Sequence, residues 1–154
     1  MGLFDFFKKR EHATPVAVPA APAAAADAVS LTGIDFMAAI EAHVRWKVRL
    51  ENYIDGTTAE KLDVAIVGMD NQCPLGKWIY GAGGAKYSAN PLFQEIRETH
   101  AEFHKCSADV MRQSDAGDKE GAIEALHHGQ HFKLSQRIKV KLARLHLEVT
   151  GGGE

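Results

Sequence analysis

A chain of 154 residues, with 18 Lys and Arg against 20 Asp and Glu, is near neutral and long enough for one core-bearing domain plus a tail. Its longest basic block is Lys8-Lys9-Arg10, which argues against nucleic acid as a partner. Two cysteines, Cys73 and Cys106, are too few for a disulfide framework and predict a reducing compartment.

Residues 1–11 hold a short apolar element, with Leu3, Phe4 and Phe7 on one face if helical; it is read as an untidy, disordered terminus or, over residues 2–10, as a docking segment for a partner or a membrane surface. The apolar residues precede the basic ones, so this is not read as a secretory signal. Residues 13–29, rich in Ala, Pro and Val, predict a semi-rigid linker. Pro19, Pro22 and Asp27 interrupt that stretch, so no transmembrane span is expected and the location is read as cytoplasmic. The organisation expected is thus a segment and linker over 1–29, a folded domain over 30–149, and a flexible tail over 150–154.

The first helix is expected over 34–53, capped by Thr32 or Asp35 and ended by Gly56. Met37, Ile40, Val44 and Val48 are spaced for one apolar face, widened by Phe36, His43, Trp46 and Leu50. A short helical turn is expected over 59–67, broken at Gly68. Pro74 suits the first position of a short helix over 74–80, followed by a glycine-rich loop to Asn90. Pro91 opens a third long helix that fades by Ser114. After a turn over 115–118, a last helix over 119–149 is expected, weakened locally by Gly129. With no β-alternation, the fold class read from the pattern is an all-α antiparallel bundle.

Four residues carry chemistry: His43, Cys73, His100 and His104. His100 and His104 project from one helical face, a turn apart. His43 lies on the apolar stripe of the first helix. Cys73 precedes a helix start, where the helix dipole favours its thiolate. Each residue alone has a plainer reading as core or surface. Together, three imidazoles and a thiolate make up a closed tetrahedral zinc set, which leaves no open position for a substrate. A hydrolytic zinc site would need that position and a general base, and no His-Glu-x-x-His is present. A hemerythrin-like centre needs further His and carboxylate ligands, but position 47 is Lys and position 104 is His. No enzyme activity is expected.

Around these residues, Trp46 and Trp78 are expected to fill the core beside the metal, and Gly76 to admit the close approach of another helix. Asp70 is either an orienter of a ligand imidazole or a turn residue. His127, His128 and His131 form a second cluster, read as a solvated face more readily than as a metal site. Cys106 is read as packing.

His43 with Trp46-Lys47, then Cys73-Pro74-Leu75-Gly76-Lys77-Trp78, then His100-x-x-x-His104, resembles the chemoreceptor zinc-binding (CZB) domain family. The resemblance covers about 34–145. It implies a four-helix bundle, with an additional short helix carrying the Cys, that holds one Zn2+ through three His and one Cys, often as a homodimer. It also implies a sensory role toward chemoreceptors or cyclic di-GMP enzymes, answering to zinc or to oxidants such as hypochlorous acid, with Cys73 as the redox-sensing residue. This chain shows no such output domain, so a signalling partner is expected. The alternative reading is a structural zinc-stapled interaction module or a zinc buffer.

Overall fold

The computed structural model describes residues 32–151. The expected 1–29 segment and linker lie outside the described residues, as do residues 152–154 of the expected tail.

All regular elements among the described residues are helices: α1 (Phe36–Asp55), α2 (Val64–Val67), α3 (Pro74–Tyr80), α4 (Ala82–Tyr87), α5 (Pro91–Asp115), α6 (Lys119–His127) and α7 (Gln130–Gly151). Several of their starts follow from side chains that satisfy free helix N–H groups. Asp35 accepts from the Ala38 amide, Asp63 from Ala65 and Ile66, Asn90 from Leu92 and Phe93, and Asp118 from Gly121. Gly56, with φ 73°, closes α1 in a left-handed conformation that costs glycine little.

α5 packs along α7 and α6, and α1 lies across α5, α6 and α7. Leu50, Ile96, Phe103, Met111, Leu126, Leu134, Ile138 and Leu142 are fully buried between them. Each contributes about 1.5–3 kcal/mol of apolar burial. α2 leans on α5, and α3 on α4 and α5.

Five expectations are corrected. The last helix is two, because the chain breaks at His128-Gly129; a Cβ on Gly129 would stand 2.7 Å from Ala125 Cα. The glycine-rich stretch after Tyr80 contains α4, where Gly83 lets the Trp78 ring approach closer than a Cβ permits. The turn expected over 59–67 is helical only at Val64–Val67. On α1, Met37, Val44 and Val48 are about half exposed, while Phe36, Ala39, His43, Trp46, Leu50 and Ile54 are buried. Both sets have helical spacing, and the one carrying the larger rings takes the core. α7 also runs to Gly151, into the expected tail.

Candidate metal centre

α5 presents His100 and His104 one turn apart, 0% and 2% exposed; α1 presents His43, 2% exposed. Cys73 is the N-cap of α3, and the Gly76 amide donates to its Sγ at 3.3 Å. Gly76 is required, though not for the reason expected: a Cβ would collide with the Asp70 carbonyl of the preceding turn, not with another helix. The donor atoms of Cys73, His100 and His104 lie within 4.8 Å of one another. Cys73 Sγ is 3.2 Å from His100 Nε2. Two ligands of a tetrahedral zinc stand about 3.3–3.7 Å apart, given metal–ligand distances near 2.0–2.3 Å. The His43 ring is 5.5 Å from the His100 ring and lies outside that tight trio.

The rings are held in one tautomer by backbone. His43 Nδ1 is 2.7 Å from the Ala39 carbonyl, and His104 Nδ1 is 2.6 Å from the Val67 carbonyl. A carbonyl only accepts, so both Nδ1 atoms carry the hydrogen and both Nε2 atoms carry a lone pair. Those Nε2 atoms are buried without a hydrogen-bond partner, as is His100 Nδ1. Buried lone pairs of this kind cost stability unless something accepts them. A cation held by the clustered donors of Cys73, His100 and His104 would accept such a lone pair, and backbone-held Nδ1–H groups are the usual support for metal-binding imidazoles.

Burial lowers the pKa of His43 to about 4 and that of His100 to about 2, the latter with help from the neighbouring His104 and His43. Burial also lowers that of His104. All three are therefore neutral near pH 7, the form that binds metal. Burial pushes the Cys73 thiol up, against the pull of backbone N–H groups at the start of α3. A bound divalent cation reverses that balance. These donors fit Zn2+.

Trp46 stands edge-on to His104 at 5.8 Å, with the Arg49 guanidinium 3.9 Å from its ring. Arg49 also donates to Glu60 at 3.0 Å, tying the loop before α2 to α1. Trp78 packs on Phe36, Tyr87 and Phe93, and its Nε1 donates to the Thr32 carbonyl at 2.8 Å. Asp70 accepts from the Tyr80 hydroxyl at 2.6 Å; the imidazoles of His43 and His104 are oriented instead by main-chain carbonyls. Ala39 was legible, since it lies four residues before His43 on one helix. Val67 was not, since it reaches His104 from another element.

The second cluster is not one face. His131 is 1% exposed and bonded to Ser107, correcting its reading as solvated. His127 pairs with Glu51 at 2.7 Å, and the exposed His128 with Glu124 at 3.1 Å. Cys106 is half-buried against the core, and burial raises its pKa to about 11.

A cleft of about 1030 Å3 opens between α1 and the stretch 60–78, and His43, Cys73 and His104 reach its wall. Among the described residues, no helix is long and apolar enough to cross a membrane. Compared with known families, residues 43–111 match the chemoreceptor zinc-binding domain. No curated protein and no solved structure matches the chain.

Proposed function

We propose, from the match of residues 43–111 to the chemoreceptor zinc-binding domain, that this protein is a cytoplasmic regulatory domain whose His43, Cys73, His100 and His104 together hold one Zn2+. The observation that carries the ligand set is the pair of buried, unpartnered Nε2 atoms of His43 and His104, each fixed by a backbone carbonyl, beside Cys73. The architecture proposed is an antiparallel four-helix bundle of the long helices, with α3 as the added short helix that carries the thiolate.

Bound zinc keeps Cys73 ionised and ties α3 to α1 and α5. Oxidation of the Cys73 thiolate by hypochlorous acid gives a sulfenic acid and chloride, and removes the donor. α3 then loses its link to His100, and the cleft surface changes. The core residues Ala122, Leu126, Leu134, Ile138 and Leu142 come from α6 and α7, which carry none of the four ligands, and this supports a folded metal-free state and hence a switch over a staple. The output goes to a separate signalling protein, a chemoreceptor or a cyclic di-GMP enzyme. The homodimer is proposed through the exposed row Met37, Val44 and Val48 of α1.

The test is zinc content and oxidant response of the wild type beside Cys73→Ser and His43→Ala. About one zinc per chain, reduced in both variants, supports the four-ligand site. Zinc unaffected by His43→Ala removes His43 from it, and a Cys73→Ser protein that still answers hypochlorous acid overturns the redox role.

A further inference from the structure

The carbonyl that holds His104 belongs to a weakly anchored stretch of chain. Of residues 57–72, only Val67 is buried. One apolar side chain offers little burial against the conformational entropy lost in ordering that backbone. A cleft separates the stretch from α1. It approaches α5 closely at Gly68, where a Cβ would stand 3.3 Å from Ala108 Cβ. The Val67 carbonyl nevertheless meets His104 Nδ1 at 2.6 Å, and that contact decides which ring nitrogen keeps its lone pair. Polar contacts must therefore help to fix its place.

Two such contacts flank Val67. On its N-terminal side, Glu60 accepts two hydrogen bonds from the Arg49 guanidinium across the cleft, the one from Nε at 3.0 Å. A forked pair of this kind fixes direction as well as distance. The guanidinium itself lies over the Trp46 ring at 3.9 Å, and that ring stands edge-on to His104. On the C-terminal side, Asp70 accepts from the Tyr80 hydroxyl at 2.6 Å. The Arg97 guanidinium of α5 lies 5.2 Å from the Tyr80 ring. α3, which carries Tyr80, buries Leu75, Gly76, Trp78 and Ile79. Each end of the stretch is thus tied to a helix that the core holds, α1 at one end and α3 at the other.

We propose that residues 57–72 form a strap across the metal centre, and that Arg49 and Tyr80 are positioning residues for it. They hold the strap so that the Val67 carbonyl keeps the His104 proton on Nδ1 and leaves its Nε2 lone pair free. Both fastenings are at the surface, and an exposed bond of this kind changes an equilibrium by about fivefold at most. Loss of one makes the strap lift more often and does not detach it. The strap stands on these hydrogen bonds alone, whereas its consequence for zinc rests on the proposed function.

The buried Nδ1 proton of His104 exchanges with water when the strap lifts, so its exchange rate reads the strap directly. His43 supplies an internal control, because the acceptor of its Nδ1–H is Ala39 of its own helix. The full chain as purified is compared by 15N NMR with Arg49→Met, Glu60→Ala, the double variant and Tyr80→Phe. Each single variant is expected to exchange the His104 proton about 2–5-fold faster, with His43 unchanged. Arg49→Met/Glu60→Ala is expected to be no faster than either single variant, since both remove one contact. Tyr80→Phe added to Glu60→Ala is expected to multiply the two effects. Zinc release to a chelator is expected to rise by a similar factor. Unchanged His104 exchange overturns the proposal, as does an equal rise at His43, which marks a global loosening. Effects of Arg49→Met and Glu60→Ala that multiply in the double variant overturn the role of their contact. Faster exchange with unchanged zinc release overturns the hold of the strap on the metal. A chain purified without zinc that shows the His104 pattern upholds the strap and overturns the metal reading alone.

Discussion

The chain carries two groups of histidines, and the structure treats them in opposite ways. In His43 and His104 the Nδ1–H is taken by a main-chain carbonyl, leaving a buried lone pair on Nε2. In His131 the order is reversed. Ser107 Oγ gives its hydrogen to the Phe103 carbonyl at 2.9 Å, so it accepts from His131 Nε2–H at 3.2 Å. That ring is as buried as the others, yet its Nε2 has no lone pair to offer. His127 and His128 are spoken for by Glu51 and Glu124. His146 Nδ1 is likewise buried without a partner, so what distinguishes the candidate centre is unpartnered ring nitrogens gathered beside the Cys73 sulfur.

The strongest way to break this comparison is to remove donors from each group. Cys73→Ser and His100→Ala are expected to lower zinc from about one per chain to a small fraction, read by elemental analysis. His127→Ala/His128→Ala is expected to keep it, and equal losses in the two sets would collapse the distinction.

Gly76→Ala tests the support of the thiolate. A Cβ there collides with the Asp70 carbonyl, so the turn before α3 must shift and carry Cys73 with it. Zinc affinity is expected to drop about 10–100-fold, the range for lost supporting contacts, measured by chelator competition. Wild-type affinity would mean that the turn does not position the sulfur.

His131→Ala sharpens the other side. Losing a buried ring and leaving Ser107 short of a partner is expected to cost about 1–3 kcal/mol in denaturant unfolding, with zinc content unchanged. A loss of zinc would make His131 part of the centre.

Acid acts on the same residue. Burial holds the His131 pKa at about 4, below its ordinary value of 6.5, so the unfolded chain binds the proton more readily. Its contribution is whole above pH 6.5 and is lost as pH falls through 6.5 toward 4. Metal-free wild type is expected to lose stability across that window, by roughly 2–3 kcal/mol for such a histidine. His131→Gln is expected to flatten part of the slope; an unchanged slope would assign it to other groups. The smallest effect is expected from His128→Gln, within about 0.5 kcal/mol, because the exposed pair with Glu124 is screened by water.

Much of the fold was legible because helix signals are local. Asp35, Pro74, Asn90-Pro91 and Gly56 stand where a short-range bond or a fixed φ dictates a helix end. The break at Gly129 was underweighted, since one glycine in a helical pattern is usually tolerated, and here the close approach of Ala125 decides it. The helix over Ala82–Tyr87 was hidden by its glycines, which lower helix propensity while making room for Trp78. On α1, two apolar rows share the same spacing, and periodicity cannot rank them.

By itself the sequence determined the helical class and the chemical inventory: three imidazoles and a thiolate in one order, with His100 and His104 on one face because four residues make about one turn. For His104 and His131, only the tertiary structure decided which nitrogen is free, whereas the partner of His43 is local to its own helix. That choice depends on a carbonyl from α2 meeting a ring on α5, and on Ser107 facing His131 across α5 and α7. Such partners lie tens of residues apart and meet because apolar burial packs the helices together, a force that is blind to hydrogen-bond direction.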